Sequence, residues 1–411
     1  MKWAIIPALT LWALAAAASD DRPALSLSGF ATVGIVATDE ADMRFTRVGM
    51  DRPGNERPDT GPDSVVGVQG NLRLGESSAA VVQVISRENT DGNYRPRPTL
   101  AFLSYEFTPE VTARFGRLRI PFFMQSDSIN VNYAHPWVRP PEEVYGLSPF
   151  ADLDGLDLLY RVRAGDTDIE FHPFLGTSRI SLYPDTKARL RRVAGANLTL
   201  SRGDFSVHLG HAEAKLEINW QDPFYTTLAP ILRSPDLRAF GGNEIVAQMS
   251  GDDGIVRFSS AGFHWDDGRW LVIGEYARRQ AQRYANSAHA WQLTAGYHFG
   301  PVTPYVVIAR HSQDEAVIGA EQLRSLPPVP EFDELRSGLA GFNASRNLAQ
   351  RSITAGVRWD VHDNAAVKAE FTRARTADDA WGTFDPASEA AAGRMGGRSI
   401  NMLSLSVDVT F

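Results

Sequence analysis

The chain has 411 residues, no cysteine and a formal net charge of −8 at neutral pH. The absence of cysteine excludes a disulfide framework and thiolate chemistry, and the acidic balance argues against nucleic acid as a partner. The mean hydropathy of −0.23 still allows a membrane-spanning barrel, because only every second residue of such a strand faces lipid.

The first predicted element is a secretory signal peptide over residues 1–18. Lys2 supplies a positive charge, residues 3–18 carry none, and the alanines at 16–18 form an A-x-A cleavage site. The alternative is an N-terminal membrane anchor, but the apolar run is shorter than the roughly 20 residues of a spanning helix. Residues 19–411 are then expected to form a single domain.

After the signal peptide, one pattern repeats to the end of the chain. Segments of about ten residues alternate apolar and polar side chains between turn residues, which is typical of transmembrane strands. The pattern predicts an all-β fold, a transmembrane antiparallel up-and-down barrel of about 16 strands. These strands are predicted at 25–38, 65–74, 79–87, 99–107, 111–120, 156–163, 167–175, 189–200, 204–218, 255–265, 270–279, 290–299, 302–310, 352–360, 365–375 and 399–411.

The connections between these strands alternate strictly between long and short. A soluble sandwich has no reason to keep this phase, whereas transmembrane barrels have short periplasmic turns, long extracellular loops and an even number of strands. The long connections are rich in Pro, Gly, Asp and Arg, and we expect none of them to bury enough apolar surface to form a domain of its own. They are predicted at 39–64, 88–98, 121–155, 176–188, 219–254, 280–289, 311–351 and 376–398.

The last strand separates its two faces most clearly. Leu403, Leu405 and Val407 fall on one face, and Ser404 and Ser406 fall on the other, because side chains alternate along a strand. The strand ends in an aromatic residue, and this resembles the C-terminal signature of bacterial outer-membrane barrel proteins. In those proteins the signature is read by the barrel assembly machinery, a role that the resemblance implies for Phe411.

Taken together, the strands, the loop phase and this terminus make the chain similar to the sixteen-stranded trimeric porins of Gram-negative bacteria. The resemblance implies a location in the outer membrane, a homotrimer, and contact with outer-membrane lipid and lipopolysaccharide. In that family the third long loop folds into the barrel, and its acidic residues face basic residues on the wall. Residues 121–155 match this loop by position.

The resemblance therefore nominates residues of a pore constriction. The candidate loop acids are Asp127, Glu142, Glu143 and Asp154, and the candidate wall cluster is Arg114, Arg161 and Arg163. For Glu142 and Glu143, a solvated loop face or a salt bridge to Arg139 is an equally good interpretation. Strand parity adds three further charges that face the interior, because their neighbours face lipid: Arg358, Lys368 and Glu370.

These observations predict a porin, a water-filled channel for passive diffusion of small hydrophilic solutes and ions. One alternative is a channel selective for organic anions or sugars, and another is an outer-membrane barrel enzyme. We expect no enzymatic activity, because the sequence has no H-E-x-x-H, P-loop or G-x-S-x-G motif. We likewise expect no cofactor, no metal and no nucleic-acid partner.

Overall fold

The computed structural model describes residues 24–47, 58–183, 186–220, 223–326 and 328–411. The predicted signal peptide at 1–18 lies outside the described residues. Within them, sixteen antiparallel strands close into one barrel. They are β1 (Leu25–Thr38), β2 (Val65–Arg73), β3 (Ser78–Arg87), β4 (Arg97–Thr108), β5 (Val111–Arg119), β6 (Asp152–Ala164), β7 (Thr167–Tyr183), β8 (Thr186–Arg202), β9 (Phe205–Trp220), β10 (Gly254–Asp266), β11 (Trp270–Ala281), β12 (Ser287–Tyr297), β13 (Val302–Glu315), β14 (Gln350–His362), β15 (Ala365–Thr376) and β16 (Ser399–Thr410).

The barrel closes where the first and last strands pair. β1 is hydrogen-bonded to β16 on one side, with Phe30 opposite Thr410, and to β2 on the other. Each remaining strand pairs with its neighbours in the sequence. The prediction of an all-β, sixteen-stranded, up-and-down barrel is therefore confirmed. The short turns lie at one end of the barrel, the turn end, and the long connections lie at the other, the loop end.

Strands occupy most of one predicted long connection and half of another. β7 and β8 extend through most of residues 176–188, and β11 and β12 shorten the connection predicted at 280–289. In the β7–β8 pair the register shifts between Gly176 and Ser178, and Arg192 has a φ of 50°. Such irregularities interrupt the alternation of side chains between faces, so the sequence pattern ends these strands too early.

The two faces of the wall differ as predicted. On β16, Leu403, Leu405 and Val407 are exposed on the outer face, whereas Ser404 and Ser406 are buried inside the barrel. β14 and β15 show the same alternation of exposed and buried positions. An apolar outer face and a polar inner face are what a barrel in a bilayer requires, because lipid offers polar groups no hydrogen-bond partner.

The long connections carry helices and short strands. None of the helices in the described part of the chain is long and apolar enough to cross a membrane. Met43–Phe45 pairs with Phe384–Pro386 in a small separate sheet, and 3-10 turns lie at Ser126–Ser128, Asn132–Ala134 and Pro330–Phe332. The helices are α1 (Glu142–Tyr145), α2 (Pro223–Leu232), α3 (Pro235–Arg238), α4 (Gly242–Ser250), α5 (Ala320–Ser325), α6 (Asp333–Arg346) and α7 (Glu389–Ala392).

Two long connections build a helical cap with an apolar core. Leu232 and Met249, between β9 and β10, are buried in one cluster with Ile318 and Leu339, which lie between β13 and β14. Neither connection encloses this core alone, and the expectation that no long connection forms a domain of its own stays a prediction. The assignment of residues 19–411 to a single domain stays a prediction.

Candidate functional site

The connection between β5 and β6, residues 120–151, lies inside the barrel, and we call it the inserted loop. Trp137 packs against inward side chains of β11 and β13, and Val131 packs against inward side chains of β1, β2 and β3. The loop thus reaches across the interior, in the position that the resemblance implied. The predicted range of 121–155 runs into β6, which begins at Asp152.

α1 places two of the predicted pore acids in buried contacts. Glu143 Oε1 accepts hydrogen bonds from Gln350 Nε2, at 2.8 Å, and from a serine hydroxyl of β14. Glu142 accepts a hydrogen bond from Nε of Arg47. Both carboxylates are buried, and buried carboxylates need fixed donors. Neither pairs with Arg139 in the described residues, so the pore-lining role and the alternative interpretations are wrong for both.

Arg139 is held by the carboxylate of Asp63, which is not among the predicted site residues. Its Nε donates to Oδ1 of Asp63 at 2.6 Å, and its terminal nitrogen donates to Oδ2 and to the hydroxyl of Ser404. Both partners are buried. A bidentate pair of this kind fixes direction as well as distance, and it ties the inserted loop to the connection before β2.

Two predicted residues of β15 hold the backbone of the loop. The Lys368 ammonium donates to two loop carbonyl oxygens at 2.6 and 2.8 Å and forms an ion pair with Asp408 at 2.9 Å. Glu370 accepts the N–H of Val138 at 3.0 Å. Both side chains point inward, as strand parity predicts, but both are buried under the loop. The prediction that they line the pore is therefore wrong.

Arg358 of β14 also points inward and contacts the loop. Its guanidinium donates to the carbonyl oxygens of Tyr133, at 2.7 Å, and His135, at 2.8 Å. The ring of His135 is buried, and its Nε2 donates to the carbonyl oxygen of Ser128. Burial lowers the pKa of His135 to about 3. Arg358 keeps part of its surface exposed, and its pore-lining role stays a prediction.

One acidic residue of the loop, Asp127, interacts electrostatically with Arg114 on the wall. Asp127 is exposed on the 3-10 turn of the inserted loop, and its charge acts on Arg114 in β5. Nε of Arg114 donates to Asp157 Oδ1 at 2.9 Å, and Nε2 of His172 lies 2.8 Å from the other oxygen of this carboxylate. Asp127 and the Arg114 cluster are the candidate constriction.

Two other predicted members of the wall cluster pair elsewhere. Nε of Arg161 lies 2.6 Å from Glu170, and Nε of Arg163 lies 2.6 Å from Asp168. Both pairs join β6 to β7 near the turn end, and neither contacts the inserted loop within the described residues. The prediction that these arginines face the loop acids is wrong, because each finds its counter-charge on its own hairpin.

Asp154 lies on β6 and not in the loop. It shares the parity of Leu156, which is exposed on the outer face, and it stands opposite Arg117 on β5. Nε of Arg117 donates to Oδ1 of Asp154 at 2.7 Å. The prediction that Asp154 lines the pore is therefore wrong, since its carboxylate forms an ion pair on the outside of the barrel.

Two residues that fix the loop, Glu275 and Asp63, are not among those predicted from the sequence. Glu275 of β11 accepts the N–H of Met124 at 2.7 Å and the hydroxyl of Tyr145 at 2.8 Å. A charged residue at an inward position was the available signal for Glu275. No sequence signal identifies Asp63, because it lies outside the strands and its partner Arg139 is 76 residues away.

The chain terminus lies at the turn end of the seam between β1 and β16. The backbone of Phe411 exchanges two hydrogen bonds with Gly29, at 2.7 and 2.9 Å. Its ring covers Gly29, where an added Cβ would lie 2.4 Å from ring carbons. The ring itself remains exposed on the outer face, and its role in assembly stays a prediction.

No group of three or more His, Asp or Glu side chains in the described part of the chain is arranged to hold a metal ion.

Comparison with known proteins shows the fold. No protein-family model matches the chain, and no curated protein matches it. Among solved structures it is similar to the outer membrane channel DcaP of Acinetobacter baumannii, with 12% identity, a TM-score of 0.56 and coverage of 96% of this chain and 99% of that one. It is also similar to an anion-selective porin from Comamonas acidovorans (11% identity, TM-score 0.53, 95% and 100% covered). The trimer form of OmpT from Vibrio cholerae gives 12% identity, a TM-score of 0.50 and coverage of 95% and 99%. The resemblance to sixteen-stranded porins is confirmed at the level of the fold.

Proposed function

We propose that the protein is a porin of the outer membrane of a Gram-negative bacterium, a water-filled channel for passive diffusion of small hydrophilic solutes and ions. The observation that carries the proposal is the inserted loop, which is anchored across a closed barrel and presents Asp127 toward the Arg114 cluster. We assign the chain no catalytic step, cofactor or metal.

Polar side chains on the wall beside the loop support the proposal of a water-filled path through the barrel. Thr112, Glu170 and Thr199 are on inward positions of β5, β7 and β8, and all three remain partly exposed. Porin-like barrels have polar interiors because the lumen holds water. The path we propose runs between this wall and the 3-10 turn that carries Asp127.

A bilayer recording tests the proposal. Reconstituted protein is expected to give stable ohmic current steps in potassium chloride. Asp127→Trp is expected to lower the conductance of each step, because the added ring occupies the constriction. Asp154→Trp is the matched control and is expected to leave the conductance unchanged, because that side chain lies outside the barrel. Folded protein that gives no steps would overturn the proposal.

We also propose a homotrimer, supported by the similarity to the trimer form of Vibrio cholerae OmpT. Unheated protein on a denaturing gel is expected to migrate at about three times the monomer mass and to convert to monomer on boiling. A band at monomer size alone would contradict a stable trimer.

The barrel assembly machinery is the partner we propose for the C-terminus, with Phe411 as the recognised residue. Deleting Phe411 is expected to slow insertion into the membrane, measured as the heat-modifiable fraction at fixed times after induction. Phe299, an exposed aromatic away from the terminus, provides the control as Phe299→Ala. An equal rate for both variants would argue against the assignment.

Outer-membrane lipid and lipopolysaccharide are further partners we propose, supported by four arginines on the outer face near the loop end. Arg351 stands directly opposite Arg310 on one neighbouring strand and Arg375 on the other, and Arg373 lies on the same face of β15. All four are exposed. Like charges directly opposite one another destabilise a sheet, so bound anions from the surroundings would stabilise this arrangement.

The contrast with the rest of the outer face strengthens this argument. Arg257 pairs with Glu213 on the outside of the barrel, whereas the four arginines have no acidic partner in the described residues. Immediately toward the turn end, Ile353 is exposed on the same face. We therefore propose that the arginines lie at the edge of the apolar band, at the level of lipid phosphate groups.

Lipid retention tests this contact. The double variant Arg351→Gln/Arg375→Gln is expected to retain less lipopolysaccharide through detergent purification than the parent, with Arg257→Gln as the matched control. Loss of the trimer with retained lipopolysaccharide would indicate instead that the arginines contact a neighbouring copy, and would overturn the assignment.

A further inference from the structure

An apolar cavity of about 110 Å³ lies between the inserted loop and the wall of β8, β9 and β10. Leu147 and Phe150 line it from the loop, and Ala188, Ala214 and Phe258 line it from the wall. These wall side chains are at inward positions, where a water-filled barrel normally carries polar residues. The interior is therefore apolar in one sector near the loop end.

The wall residues leave room because several of them are small. Ala188 and Ala214 lie beside Leu190 and Leu216 on alternate inward positions of β8 and β9, and all four line the cavity. Close packing is the rule in protein interiors, so a void of this size between alanines and leucines is a space that a ligand can fill. An engineered apolar cavity of about 150 Å³ binds benzene.

A cation lies at the edge of this cavity. Arg279 of β11 is among the lining residues, and its guanidinium donates to the carbonyl oxygens of Leu147 and Asn286 and to the Asn286 side chain. All of these acceptors are neutral. A guanidinium has five N–H groups, so donors remain for a further acceptor.

Arg279 differs in this respect from other arginines inside the barrel. In the described part of the chain no carboxylate is bonded to Arg279, whereas three others each have one: Arg114 with Asp157, Arg139 with Asp63 and Arg358 with Asp360. Arg279 is partly buried. A cation partly withdrawn from water without a counter-charge is destabilising, and an anionic ligand would reduce this penalty.

We propose that this cavity is a binding subsite for amphipathic organic anions. The carboxylate or sulfonate of the ligand pairs with Arg279, and a compact apolar body, one aromatic ring or a short alkyl chain, fills the space between the loop and the wall. The inference rests on the proposed channel function and names a class of solute that the channel holds during passage.

The apolar part and the charged part make separate contributions. Burial of the apolar body stabilises the complex by roughly 25 cal/mol for each Å² removed from water. The charge-assisted hydrogen bonds to Arg279 fix the orientation of the ligand. A solute that has only one of the two parts is therefore expected to bind more weakly.

Current block by benzoate is the test. In the bilayer recording, benzoate is expected to reduce the current in a saturable manner. Acetate, which has the charge without the ring, and benzyl alcohol, which has the ring without the charge, are expected to require concentrations higher by at least about tenfold. Benzoate that acts no differently from acetate overturns the subsite.

Three variants make the test specific. Arg279→Gln is expected to weaken benzoate block by at least about tenfold, and Arg279→Lys is expected to recover part of it. Ala188→Leu fills the cavity, removes no hydrogen bond and is expected to abolish block. Arg278→Gln, the adjacent outward residue paired with Asp314, is expected to leave block unchanged. Block by benzoate that persists in Ala188→Leu overturns the proposal.

The outcomes separate this inference from the proposed function. If folded parent protein gives no ohmic steps in chloride, the channel proposal fails, and benzoate binding is then measured by calorimetry on the detergent-solubilised protein. Heat release with the parent and none with Ala188→Leu would support the subsite without a channel. Ohmic steps with no benzoate block would retain the channel and overturn the subsite.

Discussion

At the scale of single residues, the inserted loop is held by charges buried inside the barrel. Lys368 and Glu370 of the wall bond to the backbone of the loop, and Arg139 of the loop bonds to Asp63 in the connection before β2. Buried ions are costly unless their partners are in place. These residues therefore stabilise one position of the loop. Removing one member of the Arg139–Asp63 or Lys368–Asp408 pair leaves the other charge without its partner.

Lys368→Met is the sharpest test of this arrangement. The variant leaves Asp408 buried without its cation and frees two loop carbonyl groups, so we expect a loss of about 3–5 kcal/mol in unfolding free energy. Denaturant titration of the detergent-solubilised protein measures it. Lys215→Met breaks an exposed pair with Asp253 and is expected to cost less than about 1 kcal/mol. Equal losses for the two variants would contradict a structural role for Lys368.

The buried ring of His135 is expected to make the stability of the folded protein sensitive to acid. Its pKa is about 3 in the folded protein and about 6.5 in an unfolded chain. Between these pH values the unfolded state binds more protons than the folded state. The contribution of His135 to the free energy of unfolding is therefore complete above pH 6.5 and is lost as the pH falls toward 3. His135→Gln is expected to show a smaller drop in unfolding midpoint between pH 7 and pH 4 than the parent. An unchanged drop would assign the acid sensitivity to other groups.

At the scale of elements, the alternation of side chains along a strand can be recognised in the sequence, whereas the irregularities that interrupt it cannot. All sixteen strands follow from the two-residue period, because a wall between lipid and water requires it. The register shift between Gly176 and Ser178 breaks that period, so the ends of β7 and β8 could not be predicted. The helical cap could not be predicted either, because its core joins two distant connections.

The cap is expected to unfold independently of the barrel. Leu339 of α6 is buried in its core, and Leu339→Ala is expected to cost about 2–5 kcal/mol of local stability. Amide hydrogen exchange is expected to accelerate in α4 and α6 and to stay unchanged in β4, which lies away from the cap in the order of strands. Faster exchange in β4 would show that cap and barrel unfold as one unit.

At the scale of the whole molecule, a closed sheet and one folded-in connection together produce the candidate site. The sequence predicts the inserted loop and two facing residues, Asp127 and Arg114. In the structure the charge of Asp127 acts on Arg114, and their role in a constriction stays a prediction. The sequence could not separate Asp127 from Glu142, Glu143 and Asp154, because a carboxylate that faces the interior and one that anchors a loop look alike in sequence. Only their partners, distant in the chain, distinguish them.

The difference between a carboxylate that faces the interior and one that anchors the loop determines the ion selectivity expected of the proposed channel. Arg114 is compensated by Asp157, whereas Asp127 is exposed on the loop, so in the proposed channel the charge of Asp127 acts on passing ions. Asp127→Asn is expected to shift the reversal potential in a salt gradient toward that of an anion-preferring channel. Asp154→Asn removes the same charge from the outer face and is expected to leave the potential unchanged. Equal shifts in both variants would mean that the field of the whole barrel, rather than the constriction, sets selectivity.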